Sequence, residues 1–131
     1  MTNEEMIRKA AAVVRTRKTK NGLFGDVGSA LLSCDGKLYL GVCAASGSNV
    51  FCAEQNAIGS MVTDGTYRIA KIVAVWKDEH HNVHVIAPCG NCRQMMKEMD
   101  KKNLETEVIL DRDKTVSLQD LLPYHDWWKK Q

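Results

Sequence analysis

Apolar residues fall into runs of helical and alternating spacing that divide the chain into well-marked segments. Over residues 3–19, Met6, Ala10, Val13 and Val14 recur at helical spacing. Asn3 is placed to cap this helix and Glu4 and Glu5 occupy its first turn. Arg15, Arg17, Lys18 and Lys20 crowd its far end, as the helix dipole favours. Asn21-Gly22 and Gly25-Asp26 mark a loop before a first strand at 27–33. Cys34-Asp35-Gly36-Lys37 reads as a tight hairpin turn, because Asp-Gly tolerates positive φ, and 38–42 is the partner strand. Residues 44–49 are small and polar, a loop that runs into Cys52.

A second helix is predicted over 52–63, burying Ala53, Ala57, Ile58, Met61 and Val62, with Asp64-Gly65 as its stop. Residues 69–76 and 83–87 are β-rich and flank the polar turn 77–82. A third helix opens at Pro88-Cys89 and runs to about residue 100. A strand at 107–110 and a short helix at 118–122, stopped by Pro123, follow. The order α-β-β-α-β-β-α-β-α predicts one sheet of about five strands, partly antiparallel, with helices on its faces. Both central helices begin with a cysteine.

With 131 residues, the chain is expected to form a single domain over 1–131 with a core of its own. Hydrophobic residues at 44% and charged residues at 26% exclude a disordered chain. Eighteen Lys and Arg against 16 Asp and Glu leave a net charge of +2, so charge alone does not hold this protein to nucleic acid. The basic cluster at 15–20 is read as a solvated helix end in preference to a phosphate site. No apolar run suits a signal peptide or a membrane span. Five cysteines, an odd number, do not suggest a disulfide framework, and the expected setting is the reducing cytoplasm. There, closely spaced cysteines signify metal or catalysis.

Cys89-Gly90-Asn91-Cys92 places two thiols three residues apart at a helix start, where outward N–H groups and the dipole bias both toward thiolate. Such a pair serves redox chemistry, structural zinc or catalytic zinc alike. Cys52, at the start of the other helix, supplies a third thiolate and leaves one coordination position for water, as a catalytic zinc requires. Glu54, two residues on, is placed to hold that water. A Cys-x-Glu followed by Pro-Cys-x-x-Cys is the pattern of zinc deaminases.

Cys52-Ala53-Glu54 with Pro88-Cys89-Gly90-Asn91-Cys92-Arg93-Gln94 resembles the cytidine deaminase superfamily in its small three-cysteine branch. Val27-Gly28-Ser29-Ala30-Leu31, Asp35-Gly36 and Leu121-Leu122-Pro123 are similar to the family's first strand, hairpin turn and closing motif. The resemblance implies a three-layer α/β/α sandwich with a mixed five-stranded sheet. It implies Zn²⁺ held by Cys52, Cys89 and Cys92, with Glu54 as the general base that moves protons from water to ring nitrogen and departing amine. It also implies backbone contacts to a heterocycle at Ala53 and Ala87, with Ser29 and Phe24 lining the substrate pocket. Arg93 is expected to support a ligand sulfur. The expected partner is a small aminopyrimidine, with no membrane and no nucleic acid, and the expected assembly is a homotetramer with sites completed across interfaces. The tail at Trp127-Trp128 is placed to make such a contact.

Two departures bear on the substrate. The Asn and Glu with which cytidine-acting relatives hold ribose are replaced by Cys43 and Ala45, and Gln55 stands where an arginine is frequent. The loop before Cys52, Ser29-Ala30 and the tryptophan tail are similar to blasticidin S deaminases. The expected reaction is hydrolytic deamination of a cytosine-type amino group in a nucleoside or analogue. Another aminated heterocycle, a free base or pterin, and a non-catalytic structural zinc domain are the alternatives. Cys34, Cys43, His80, His81 and His84 lack metal spacing and are read as packing or surface residues.

Overall fold

A computed structural model describes residues 1–126 and 128–131. Its elements are α1 (Asn3–Ala12), β1 (Arg17–Thr19), β2 (Gly22–Ser33), β3 (Leu38–Ser46), β4 (Val50–Phe51), α2 (Ala53–Thr63), β5 (Ile69–Lys77), β6 (Val83–Ile86), α3 (Gly90–Met99), β7 (Glu107–Asp111) and β8 (Lys114–Ser117). Short 3-10 turns at Lys101–Glu105 and Leu118–Leu121 complete the chain.

The first helix departs from expectation at both ends. Thr2, not Asn3, is the cap, its hydroxyl accepting the Glu5 N–H at 3.1 Å. The helix stops at Val13, where Val13, Val14 and Thr16 lose χ1 freedom in a helical turn. The basic residues therefore lie beyond the helix. Arg17 and Lys18 belong to β1, which folds back on β2 through the pairs Arg17–Phe24, Lys18–Leu23 and Thr19–Gly22.

The sheet runs in the order β4-β3-β2-β5-β7-β8, with β1 added to β2 and β6 to β5. All pairings are antiparallel except β5 with β7, so the sheet is mixed. It has eight strands instead of five. The additional three, β1, β4 and β8, are two to four residues long, too short and too polar for an alternating pattern to announce them. The predicted hairpin forms as expected, with Gly36 at φ +85°.

Successive residues of the central strands face opposite sides, and each side carries its own core. Leu31, Ile72 and Val108 pack with Ile58 and Met61 of α2 and Met96 of α3. Ala30, Val73, Val75 and Ile109 pack with Met6, Ile7 and Ala10 of α1. The result is a three-layer α/β/α sandwich.

The α2/α3 side is the one that matters for chemistry. There α2 lies directly on β3 at Gly41, where an added Cβ would stand 2.5 Å from Ala57 N and 2.6 Å from Ala53 O. Asn103, fully buried, fixes the far end of α3. Its amide donates to Met96 O and Tyr67 O, and its Oδ1 accepts the Ile69 N–H, each at 2.9 Å. Because both close contacts at Gly41 are backbone, Gly41→Ala must displace the helix. A loss of about 3 kcal/mol is expected, within the range of overpacked cores, readable as a lower urea midpoint with unchanged slope.

Candidate active site

The two central helices start beside each other, and a cysteine caps each one. Cys52 follows β4 directly and stands at the N-cap of α2 with extended backbone. Its N–H is accepted by Gln55 Oε1 at 3.4 Å, the return half of a capping box. Gln55, noted in the sequence only as a departure, thus works as a helix cap. Its position three residues after the cap was the available signal. Cys89 is the N-cap of α3, and its Sγ accepts the Cys92 N–H at 3.4 Å.

The three sulfurs converge. Cys52 Sγ lies 3.5 Å from Cys89 Sγ, Cys89 Sγ lies 3.3 Å from Cys92 Sγ, and all three fall within 4.8 Å of one another. Sulfurs bound tetrahedrally to zinc at about 2.3 Å stand about 3.8 Å apart, so one ion fits this set with small adjustments. Among the described residues no other His, Cys, Asp or Glu joins the cluster. Zinc is the cofactor these residues fit.

The thiols are not equivalent. At Cys89, burial favours the thiol, but the Cys92 backbone N–H and the neighbouring thiols outweigh it and lower its pKa. Cys92 is fully buried, and desolvation followed by the Glu54 charge pushes it far up. Cys52 is also raised, by desolvation and then by its bond with Cys89. The expected bias of both α3 thiols toward thiolate therefore holds for Cys89 only, because Cys92 lies inside the first turn and away from water.

Glu54 is 4% exposed, and desolvation raises its pKa above the ordinary carboxylate range. It shares an apolar pocket with Ile72, Ala74 and Pro88. Its charge also raises Cys92 and Cys52, which places it beside the sulfurs without joining them. Ala53, fully buried, begins α2 beside Cys52, and Ala87, exposed, leads from β6 into Pro88.

Three expected site residues have other attachments. Ser29 faces the α2 side, but it is fully buried and its Oγ donates to Val73 O at 2.8 Å, so the hydroxyl serves the sheet. Phe24 pairs with Ala44, which pairs with Phe51, the residue before Cys52. That row alternates with the row of Gly41 and Cys43, of which Gly41 touches α2. Arg93 contacts no sulfur. Its Nε donates to Pro88 O at 2.8 Å and its Nη1 to Leu121 O at 3.2 Å, tying the loop before Cys89 to the last 3-10 turn. Cys43, read as packing, donates its S–H to Asp26 Oδ1 at 3.0 Å, and burial followed by that carboxylate holds it as a thiol. Nothing in the sequence paired these two residues. Trp127 lies outside the described residues, and Trp128 is exposed.

Cys52 and Cys92 must each give up a proton to bind a cation. Zinc uptake is therefore expected to release protons, with apparent affinity rising by more than roughly tenfold per pH unit near neutrality. Competition against a chelator at several pH values measures this. Cys92→Ala should abolish stoichiometric zinc, whereas Cys34→Ala, exposed and outside the cluster, should retain it.

Residues 1–107 match the family model described as the cytidine and deoxycytidylate deaminase zinc-binding region. A blasticidin-S deaminase from Bacillus cereus is 36% identical over 78 residues, covering 55% of this chain and 56% of that protein. The match thus spans about half the length of that relative. The cytidine deaminase of Burkholderia pseudomallei has a TM-score of 0.71 at 32% identity, covering 95% of this chain and 98% of that one. That of Mycobacterium tuberculosis has a TM-score of 0.68 at 27% identity, covering 95% and 93%. With the family model covering most of the sequence and the three sulfurs gathered at two helix starts, the chain belongs to the cytidine and deoxycytidylate deaminase family of zinc-dependent hydrolytic deaminases.

Proposed function

We propose that this protein removes the amino group from a cytosine-type ring in a free nucleoside or nucleoside analogue, releasing ammonia and leaving a ring carbonyl. The observation that carries this reading is a buried carboxyl of raised pKa, Glu54, set beside three converging sulfurs. Zinc held by Cys52, Cys89 and Cys92 supplies Lewis-acid activation of water. Glu54 takes a proton from that water and delivers it to the ring nitrogen as the carbon–oxygen bond forms. It then serves the departing amine as the carbon–nitrogen bond breaks. A raised pKa suits both halves of this task, since the group must hold a proton briefly near neutral pH.

The ring is held flat against the start of α2 by backbone groups at Ala53 and against Ala87 at the end of β6. Arg93 positions the Cys89 loop through the Pro88 carbonyl and acts on the reaction only through that loop. The likeness to a blasticidin-S deaminase and to cytidine deaminases supports a pyrimidine nucleoside or analogue. Cys43 and Ala45, standing at the family's ribose-holding positions, favour an analogue over plain cytidine.

All five cysteines are free, which supports a reducing compartment such as the cytoplasm. Exposed Val50 and Phe51, directly before Cys52, support assembly into a homotetramer that covers them. Sedimentation equilibrium is expected to give four chains per particle, and a monomer would refute the assembly.

Glu54→Gln should retain one zinc per chain and lose about a thousandfold or more in kcat on whichever of cytidine, deoxycytidine and blasticidin S is turned over. Ammonia release and elemental analysis on the same sample measure the two. Unchanged turnover in that variant, or a zinc-loaded protein inert toward all three compounds, would reject this reading.

A further inference from the structure

A groove of about 850 Å³ opens between the segment after α1 and the β5–β6 hairpin. Arg15, Lys18, Asp26, Trp76, Lys77 and Asp78 are among its lining residues. The basic residues expected at a helix end are here because α1 stops at Ala12. The Arg15 N–H then bonds Gly25 O at 3.0 Å, and Lys18 pairs with Leu23 on β2.

The acidic members of the groove are already engaged. Asp26 Oδ1 accepts the Cys43 thiol. Asp78 Oδ1 accepts the N–H groups of His80 and Asn82, each at 2.9 Å, and its Oδ2 lies 2.9 Å from His84 Nε2. Glu79 stands 3.7 Å from His80. The cations are not so engaged. Among the described residues, no carboxylate lies within 4.0 Å of the charged groups of Arg15, Lys18 or Lys77. Beside them Trp76 is 40% exposed and is braced by His84, stacked at 5.0 Å between ring centroids. Unpaired positive charge over an aromatic face complements an anion carried on an organic frame.

The groove is next to the chemistry. Ala74 lines the Glu54 pocket, and Trp76 is the next residue on the same face of β5, about 7 Å along the strand. On the neighbouring strand the same step runs from Ser29, paired with Ala74, to Val27, paired with Trp76. A substituent a few atoms long spans that distance.

Resting on the deaminase reading above, we infer that this groove receives an anionic group, phosphate or carboxylate, borne by the substrate outside its reacting ring. Arg15, Lys18 and Lys77 determine that specificity. Calorimetric titration of the zinc-loaded Glu54→Gln chain with cytidine, cytidine 5′-monophosphate and the 5′-carboxylate of cytidine tests it. At low salt at least one anionic ligand should bind about tenfold or more tighter than cytidine, and the gain should shrink as salt is added. The larger gain tells phosphate from carboxylate. The combined change Arg15→Gln, Lys18→Gln and Lys77→Gln should erase the gain, with melting temperature and zinc content as folding controls. If that combination does not fold, the three single changes replace it and should each reduce the gain. Anions binding no better than cytidine, or an advantage that survives the charge removal, overturns the inference. Turnover of cytidine by the unaltered protein without any anion preference sinks the groove alone. Absence of turnover on neutral and anionic substrates alike sinks the deaminase reading with it.

Discussion

The site exists because two helices begin within a few ångströms of each other on one face of the sheet. The backbone of α2 is seated on β3 at Gly41, where no side chain intervenes, and α3 is tethered at both ends. Asn103 holds its last turn through Met96 O, while Arg93 grips Pro88 O just ahead of its first. With both helices fixed along their axes, their N-caps meet, and Cys52 and Cys89 approach to 3.5 Å. A slide of one helical residue, about 1.5 Å, would be comparable to the tolerance of a metal–sulfur bond set. Packing far from the sulfurs therefore governs whether the ligands meet.

Burial then sets the charge state of everything at that meeting point. Three thiolates around one Zn²⁺ sum to −1, a charge offset by N–H groups at two helix starts, of which Cys92 N on Cys89 Sγ is one. Without a cation, desolvation keeps protons on Cys52 and Cys92 and leaves Cys89 as the acidic member. The same exclusion of water raises Glu54. Metal, thiols and carboxylate form a single coupled system in which the fold contributes dryness and the sequence contributes the donors.

Away from the sulfurs, β2 and β5 carry the α2-side face outward from Ser29 and Ala74 to Val27 and Trp76. The polar turn beyond them is organised by Asp78, whose carboxylate accepts two backbone N–H groups, and His81 adopts φ 64° within it. That hairpin braces one side of the groove and the β1–β2 ribbon supplies the other. Uncommitted cations and an exposed indole thus stand one pleat from the buried carboxyl, an arrangement suited to separating recognition from reaction.

The cysteine motifs, their order and Glu54 were legible from sequence, because each depends on spacing within one helical turn. The Asp35-Gly36 hairpin and the starts of α2 and α3 were legible for the same reason, since caps and tight turns are local chemistry. The end of α1 was not, because Val13 and Val14 continue the apolar pattern past the point where the chain leaves the helix to pair as β1. The roles of Ser29 and Arg93 were also settled elsewhere, by the Val73, Pro88 and Leu121 carbonyls that tertiary packing brings within reach. Cys43 meets Asp26 across two strands at an irregular point between Phe24 and Gly28, a register that no linear pattern encodes. Local sequence determined which atoms do the chemistry; the folded sheet decided which of them lose their water and which charges remain unpaired, because both depend on neighbours distant in the chain.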